Sequence, residues 1–267
     1  METKEMKLYK CKLCGEYYSD QEMSGEHYPA RCVGNEDIVE FDIVKMFDMF
    51  KSNEIYDEVL QKREEGKTLK EIADEIFDNK LSNSLYIKGR TARTLCKKCN
   101  SFLGKYDEAY LKFFNVDGNA DKIKGFSLNT KYKVIKSIYA KFLSIPEAID
   151  ESFDFVDFIR DEKLNEYNGK RKLYCVKRNY STDIMGLKDL QTGKAVFSEG
   201  VVYELSDEKF ISNIMNFEKH SCYDMTNIFD ILKKSYAIVE GVGEYGGYHA
   251  SILLPKLLFE NQEDFSG

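Results

Sequence analysis

Two Cys-x-x-Cys pairs, Cys11-Lys-Leu-Cys14 and Cys96-Lys-Lys-Cys99, fall within about 90 residues of one another. That spacing constrains the chain more than any other feature. Each pair sets two thiols about one turn apart, and two pairs supply the four sulfur ligands that tetrahedral zinc prefers. Seven cysteines is an odd number, and in a chain with no export signal they are expected as thiols or metal ligands, not disulfides. A thioredoxin-like redox pair would need a strand and a helix of a parallel sheet around one knuckle, and the first knuckle lies in a loop-like stretch. A structural zinc on Cys11, Cys14, Cys96 and Cys99 is therefore the expectation. Cys32, Cys175 and Cys222 stand alone, Cys32 being expected as a small buried hydrophobe. Such a zinc shapes a fold and names no function.

The rest of the chain must bury a core around that tie. With 267 residues, 43% hydrophobic and 32% charged, it has the balance of a globular protein at the size of one large or two small domains. Its apolar runs, such as Ser251 to Leu254, are far short of the roughly 20 residues a membrane span needs. The N-terminal Met-Glu-Thr-Lys-Glu-Met-Lys lacks the apolar segment of a signal peptide, so a cytoplasmic protein without membrane partners is expected. A net charge of -7 argues against indiscriminate coating of nucleic acid but permits a local basic site.

Between the knuckles, Ile38, Phe41, Val44, Phe47 and Phe50 recur every three residues and predict a helix from Glu36 to Lys51. A second helix is predicted over Asn53 to Glu65, stopped by Gly66, and a third after the capping box Thr68-Leu-Lys-Glu71. Together these form an acidic helical insertion of about 36–85. After Cys99 the stripe Phe102, Leu103, Tyr106, Ala109, Tyr110 and Phe113 predicts a helix ending near Asn115 to Gly118. Another is predicted from Lys131 to Leu143, stopped by Ser144 and Pro146. From Arg171 onward, short runs rich in Val, Tyr and Phe (172–177, 195–205, 236–239, 249–254) predict a sheet with one or two helices. A polar turn at Asn165 to Lys170 predicts a boundary. The expected class is α+β, with a first domain over 1–125, a helical connector over 126–164 and an α+β domain over 165–267.

The segment Ser24-Gly-Glu26-His27-Tyr28-Pro29 carries chemistry: a carboxylate beside a histidine suits a site where one side chain holds a divalent ion and its neighbour takes a proton from water. Asn100 follows Cys99 directly in Leu95-Cys-Lys-Lys-Cys-Asn100, so fixing Cys99 on zinc fixes Asn100 too. Its amide oxygen could join Glu26 in an oxygen-rich metal site. At these residues the chain resembles the HNH endonuclease family, in its zinc-knuckle ββα-metal branch. The resemblance spans about residues 8–115. It implies His27 as general base, Glu26 and Asn100 as ligands of a catalytic Mg2+ or Mn2+, and the four cysteines as structural zinc. It also implies cleavage of phosphodiester bonds, in DNA before RNA. The family's middle Asn has no counterpart, since Gly89-Arg-Thr-Ala-Arg-Thr94 precedes Leu95.

Cutting a polyanion needs local positive charge. Between Tyr86 and Ile145 stand 13 Lys and Arg against 4 acidic residues, a balance of +9, and Arg90, Arg93, Lys97, Lys98 and Lys105 are the candidate substrate contacts. A solvated helix face would give the same count. His220 and His249 lack chemical neighbours and are expected to be structural. Gly241-Val-Gly-Glu-Tyr-Gly246 has the spacing of a dinucleotide fingerprint but precedes a predicted strand, so a glycine hairpin is expected. Asp117-Gly-Asn-Ala-Asp121 begins like a calcium loop, yet Lys122 stands where its glycine belongs, which leaves a turn. Two other functions fit the same residues: a zinc-stabilised nucleic-acid-binding module with an inactive centre, and an interaction module docking a protein through the acidic helices or the C-terminal domain. A defence role against foreign DNA and a homo-oligomer are compatible with all of this and encoded by none of it.

Overall fold

A computed structural model describes residues 7–36, 38–86, 88–178, 192–218 and 225–241. In chain order the strands and helices are β1 (Leu8–Lys10), β2 (Tyr17–Ser19), β3 (Met23–His27), β4 (Ile38–Phe41), α1 (Ile43–Lys51), α2 (Glu54–Glu64), α3 (Leu69–Ile76), β5 (Ser82–Tyr86), β6 (Thr91–Cys96), α4 (Lys97–Asn115), α5 (Leu128–Lys141), α6 (Val156–Arg160), β7 (Lys172–Arg178), β8 (Thr192–Val196), β9 (Val201–Ser206), β10 (Phe210–Met215), β11 (Thr226–Asn227) and β12 (Glu240–Gly241). The class is α+β, as expected. No helix among the described residues is long and apolar enough to cross a membrane.

The chain divides into two compact units, one of Glu36–Arg90 and one of the residues on either side of it. In the larger unit, β3 and β6 pair antiparallel, with Ser24 opposite Leu95, Glu26 opposite Ala92 and His27 opposite Thr91. The register slips between Ser24 and Glu26, so Arg93 and Thr94 together face Gly25 as a bulge. β6 runs directly into α4, whose stripe behaves as its period predicts: Leu103, Tyr106, Ala109, Tyr110 and Phe113 are all buried. α5 is the central helix. It is capped by Ser127, whose hydroxyl accepts from the Thr130 N–H at 3.3 Å, and it is buried on every side from Val134 to Lys141.

The third layer is a sheet of order β11-β7-β10-β9-β8, antiparallel throughout, with β12 alongside β7 in parallel. Its middle strand β10 is buried along its whole length. One face gives Leu173, Cys175, Tyr203, Leu205, Phe210 and Ile214 to the core that α4 and α5 share, and the other gathers Tyr174, Val176, Val202 and Met215 with Met225. Phe113 of α4 stacks on Phe210 of β10 with ring centroids 5.5 Å apart. One apolar cluster thus runs from Cys11 to Ile231, and the polar, largely exposed turn at 165–170 falls within that span of sequence. A turn marks where a chain reverses, and here both sides of the reversal bury into the same core. The run 195–205 is two strands joined by a turn at 197–200, and 236–239 is extended chain leading into β12. The run 249–254, the hairpin residues beyond Gly241, Cys222, His220 and His249 lie outside the described residues.

In the smaller unit the expectation for Glu36 to Lys51 is corrected. Ile38–Phe41 is a strand paired with β5, and the helix starts only after Asp42, whose carboxylate accepts from the Lys45 N–H at 2.9 Å. The Asp42 cap and the partner strand override the three-residue repeat. Nor is that repeat the buried face: Val44, Phe47 and Phe50 are 67%, 55% and 54% exposed, while Met46 and Met49 join Ile72, Ile76 and Leu81 in the unit's core. The other two helices form as their caps dictate. Gly66 takes φ 88° after α2, and Thr68 and Glu71 close the reciprocal capping box at the start of α3.

Candidate metal centre and adjoining hairpin

The first knuckle is the tight turn that joins β1 to β2. Cys11 N–H donates to the Glu16 carbonyl at 2.8 Å and Gly15 N–H to the Cys11 carbonyl at 2.9 Å, with Gly15 at φ 84°. The second knuckle is the junction of β6 and α4. Cys96 is the helix cap: its sulfur accepts from the Cys99 N–H at 3.4 Å, and the Cys96 N–H donates to the Cys11 sulfur at 3.3 Å. Lys12 N–H bonds the Thr94 carbonyl and Lys97 N–H the Glu22 carbonyl, at 2.8 and 2.9 Å. Backbone bonds therefore bring the two knuckles together.

The four sulfurs lie within 4.8 Å of one another. Tetrahedral zinc with bonds of about 2.3 Å needs sulfurs roughly 3.8 Å apart, a contraction that side-chain rotation supplies. Cys11, Cys14, Cys96 and Cys99 are thus positioned to bind a metal ion such as zinc, with Cys11 and Cys96 buried and Cys14 and Cys99 half-buried. Burial pushes the Cys11 and Cys99 thiols up. At Cys14 burial acts in the same sense but is outweighed by the Glu16 N–H and the Tyr18 hydroxyl, which bring that thiol down to about 7. A thiophilic dication is what would hold all four as thiolates. A zinc-loaded centre would carry a net charge of about -2 and would offset Lys97 and Lys98 in the first turn of α4, where the helix dipole disfavours cations.

The hairpin beside this centre brings several predicted residues close. Asn100, in the first turn of α4, donates its amide N–H to the Ser24 hydroxyl of β3 at 2.5 Å. Glu26, two residues along β3, is 3% exposed. It forms an ion pair with Lys141 of α5, which also pairs with Asp107 of α4 at 2.8 Å. Asp107 in turn accepts from the Ser137 hydroxyl at 2.7 Å. Burial pushes the Glu26 carboxyl up, opposed chiefly by Lys141 and also by nearby His27. Burial works against the Lys141 charge too, but Asp107 and Glu26 outweigh it and hold the ammonium protonated. His27 is half-buried at the end of β3, opposite Thr91. A cavity of about 20 Å³, room for a single water, lies beside Lys141 and is lined also by Pro29, Ser137, Tyr110, Asp207 and Ser212.

The basic candidates separate into groups. Lys97 and Lys98 are exposed in the same helical turn as Asn100. Arg93 pairs with Asp20, and Lys105 pairs with Glu162 while lying 3.8 Å over the Phe102 ring. Arg90 belongs to the smaller unit. Three cations behind the +9 balance are not on the surface at all: Lys131, Lys136 and Lys141 are buried. Lys136 donates to the Asp161 carbonyl at 2.6 Å, and burial pushes it down to about 8.

The expectation of a buried Cys32 is corrected: the residue is exposed, and partial cover of its sulfur pushes the thiol up. No spacing in the sequence announces that Ser24 meets Asn100 or that Lys141, Asp107 and Ser137 link to Glu26. Lys141 left one trace, a charge inside the apolar run Ile138 to Leu143 of a helix buried all round. A comparison with family models, with curated proteins and with solved structures finds no match to this chain.

Proposed function

We propose that this chain is a metal-dependent endonuclease of the HNH type that hydrolyses phosphodiester bonds in nucleic acid, DNA before RNA. One observation carries the reading. β3 pairs antiparallel with β6, β6 leads into α4, and the cysteine cluster ties strand to helix. In that strand-strand-helix order β3 carries Glu26 and His27, and α4, which begins at Lys97, carries Asn100 in its first turn, the order that the resemblance to the ββα-metal fold implies.

In this reading His27 takes the proton from the attacking water, as an imidazole working near neutral pH can. Glu26 and Asn100 would hold the ion, because a carboxylate and an amide oxygen are hard donors that suit Mg2+ or Mn2+, with water and substrate phosphate completing the shell. The donor types suit such an ion: the Asn100 amide nitrogen bonds Ser24, so its oxygen would be the ligand atom, and Lys141 bonds the Oε1 of Glu26, so Oε2 would be the other. Such an ion would neutralise charge on the leaving oxygen. The exposed Lys97 and Lys98 would contact backbone phosphates, which positions a strand without reading its sequence. The cysteine centre does no chemistry.

The Glu26–Lys141 pair also favours a second reading, a zinc-stabilised nucleic-acid-binding module with an inactive centre, in which an ammonium has taken over the carboxylate. Plasmid cleavage by the zinc-loaded protein with Mg2+ or Mn2+, beside His27→Ala and an EDTA control, separates the two. Nicking that disappears in both controls supports the nuclease. DNA binding without cleavage in any metal supports the module.

A further inference from the structure

Glu26 and Lys141 are buried together, and the half-buried Asp107 puts a second carboxylate on the same ammonium. A carboxylate and an ammonium buried together already cancel, and even that pair only about breaks even against its desolvation. Asp107 adds a second carboxylate, 2.8 Å from the ammonium, held by the Ser137 hydroxyl at 2.7 Å. With both carboxylates ionised the trio carries one surplus negative charge, set against the burial that favours a neutral Glu26 and eased at Asp107, which solvent reaches. Such a surplus is costly unless a cation answers it.

The placement shows where that cation belongs. Asp107 lies seven residues after Asn100, two turns on and on the same face of α4. Along β3, Ser24 meets Asn100, while Glu26 meets Lys141 and, through it, Asp107. Were Lys141 alone with Glu26, its ammonium would cancel the carboxylate and repel a second cation. With Asp107 taking up the lysine's charge, the carboxylate of Glu26 keeps its attraction for an ion.

We propose that Asp107 and Lys141 are positioning residues for a divalent ion at Glu26: Lys141 fixes the carboxylate by one oxygen, and Asp107 neutralises Lys141 so that Glu26 still attracts the ion. This rests on the nuclease reading and adds two residues to it. Neither touches substrate, and both act through Glu26.

The test is a Mn2+ titration of the full-length, zinc-loaded protein without DNA, with free Mn2+ read by electron paramagnetic resonance and zinc content as the control for folding. Wild type is expected to take up one Mn2+ and Glu26→Gln to lose it. Asp107→Asn should weaken uptake about 10- to 100-fold, the usual effect of removing a group that supports a metal ligand. Ser137→Ala, which releases Asp107 without changing any charge, should weaken it a few fold and gives the answer if Asp107→Asn does not fold. Asp107→Asn and Ser137→Ala binding Mn2+ as wild type does, while Glu26→Gln does not, would overturn this proposal and leave the nuclease reading standing. A wild type that takes up no Mn2+ would overturn both.

Discussion

In the larger unit Phe113 stacks on Phe210, Tyr139 lies 4.9 Å from Phe155, and four cysteines from two distant stretches converge. In Glu36–Arg90 the core is Met46, Met49, Ile72, Ile76 and Leu81, and much of the order is local: the Asp42 cap, the Thr68–Glu71 capping box, and Lys62 paired with Glu75 at 2.6 Å. The first unit draws its stability from contacts far apart in sequence, many of them aromatic and one set of four cysteines positioned for a metal. The second draws it from helix signals and exposed ion pairs worth little each. Damage should therefore spread through the larger unit and stay local in the smaller one.

The largest test of that difference is removal of the metal. Cys96→Ser, or chelation, should abolish zinc binding and remove on the order of 10 kcal/mol from the larger unit, as for structural zinc generally. Hydrogen exchange should show β3, β6 and the start of α4 losing protection while α1 to α3 keep theirs. A single transition for all segments would break the comparison. Phe113→Ala should cost about 3–5 kcal/mol through the cavity it leaves between α4 and β10. Chemical denaturation should place that loss in the larger unit alone.

A pH-dependent effect follows next. Asp207 is buried, and although the Tyr110 hydroxyl and the Lys209 and Phe210 N–H groups favour its charge, burial wins and pushes the carboxyl up to about 6. A raised carboxyl contributes stability that is complete below about pH 4 and lost as pH rises through about 6. Between those limits the loss is about 3 kcal/mol. Asp207→Asn should remove that dependence, read as the difference in unfolding free energy from wild type at pH 4 and pH 7. In the smaller unit, Thr68→Ala should cost about 1 kcal/mol, visible as faster exchange in α3 only. Smallest of all, Phe47→Ser should change stability by less than about 0.5 kcal/mol. A larger drop in its melting temperature would mean that the exposed face of α1 is covered in solution.

The same contrast explains what could be read in advance. Spacing alone identified Cys11, Cys14, Cys96 and Cys99, because a metal demands ligand types at short, fixed separations. Thr68, Glu71 and Gly66 announced their helix ends because caps are local chemistry. The period of α4 was legible for the same reason. The strand at Ile38–Phe41 was not, since only its pairing with Ser82–Tyr86, some 40 residues on, distinguishes it from a helix with the same repeat. Lys141 and Asp107 count in the sequence only toward the +9 balance, because nothing in their neighbourhoods reveals that one pairs with the other. The polar turn at 165–170 looked like a boundary for a similar reason. A core shared across a turn leaves no local mark.

The unit Glu36–Arg90 stands in sequence where a hairpin would have its turn, so β3 and β6 must find each other across more than 60 residues of chain. Closing a flexible loop of that length costs entropy that grows only as the logarithm of its size, about 0.6 kcal/mol for each doubling. The burden falls instead on rate, because distant pairings wait on a long search. A segment whose helices are set by their own caps can fold early and shorten that search. On this view the order of events is insert first, hairpin second, metal last. Replacing residues 36–90 by a short flexible turn should then leave β3 and β6 a briefer search and a faster closing of the cysteine site.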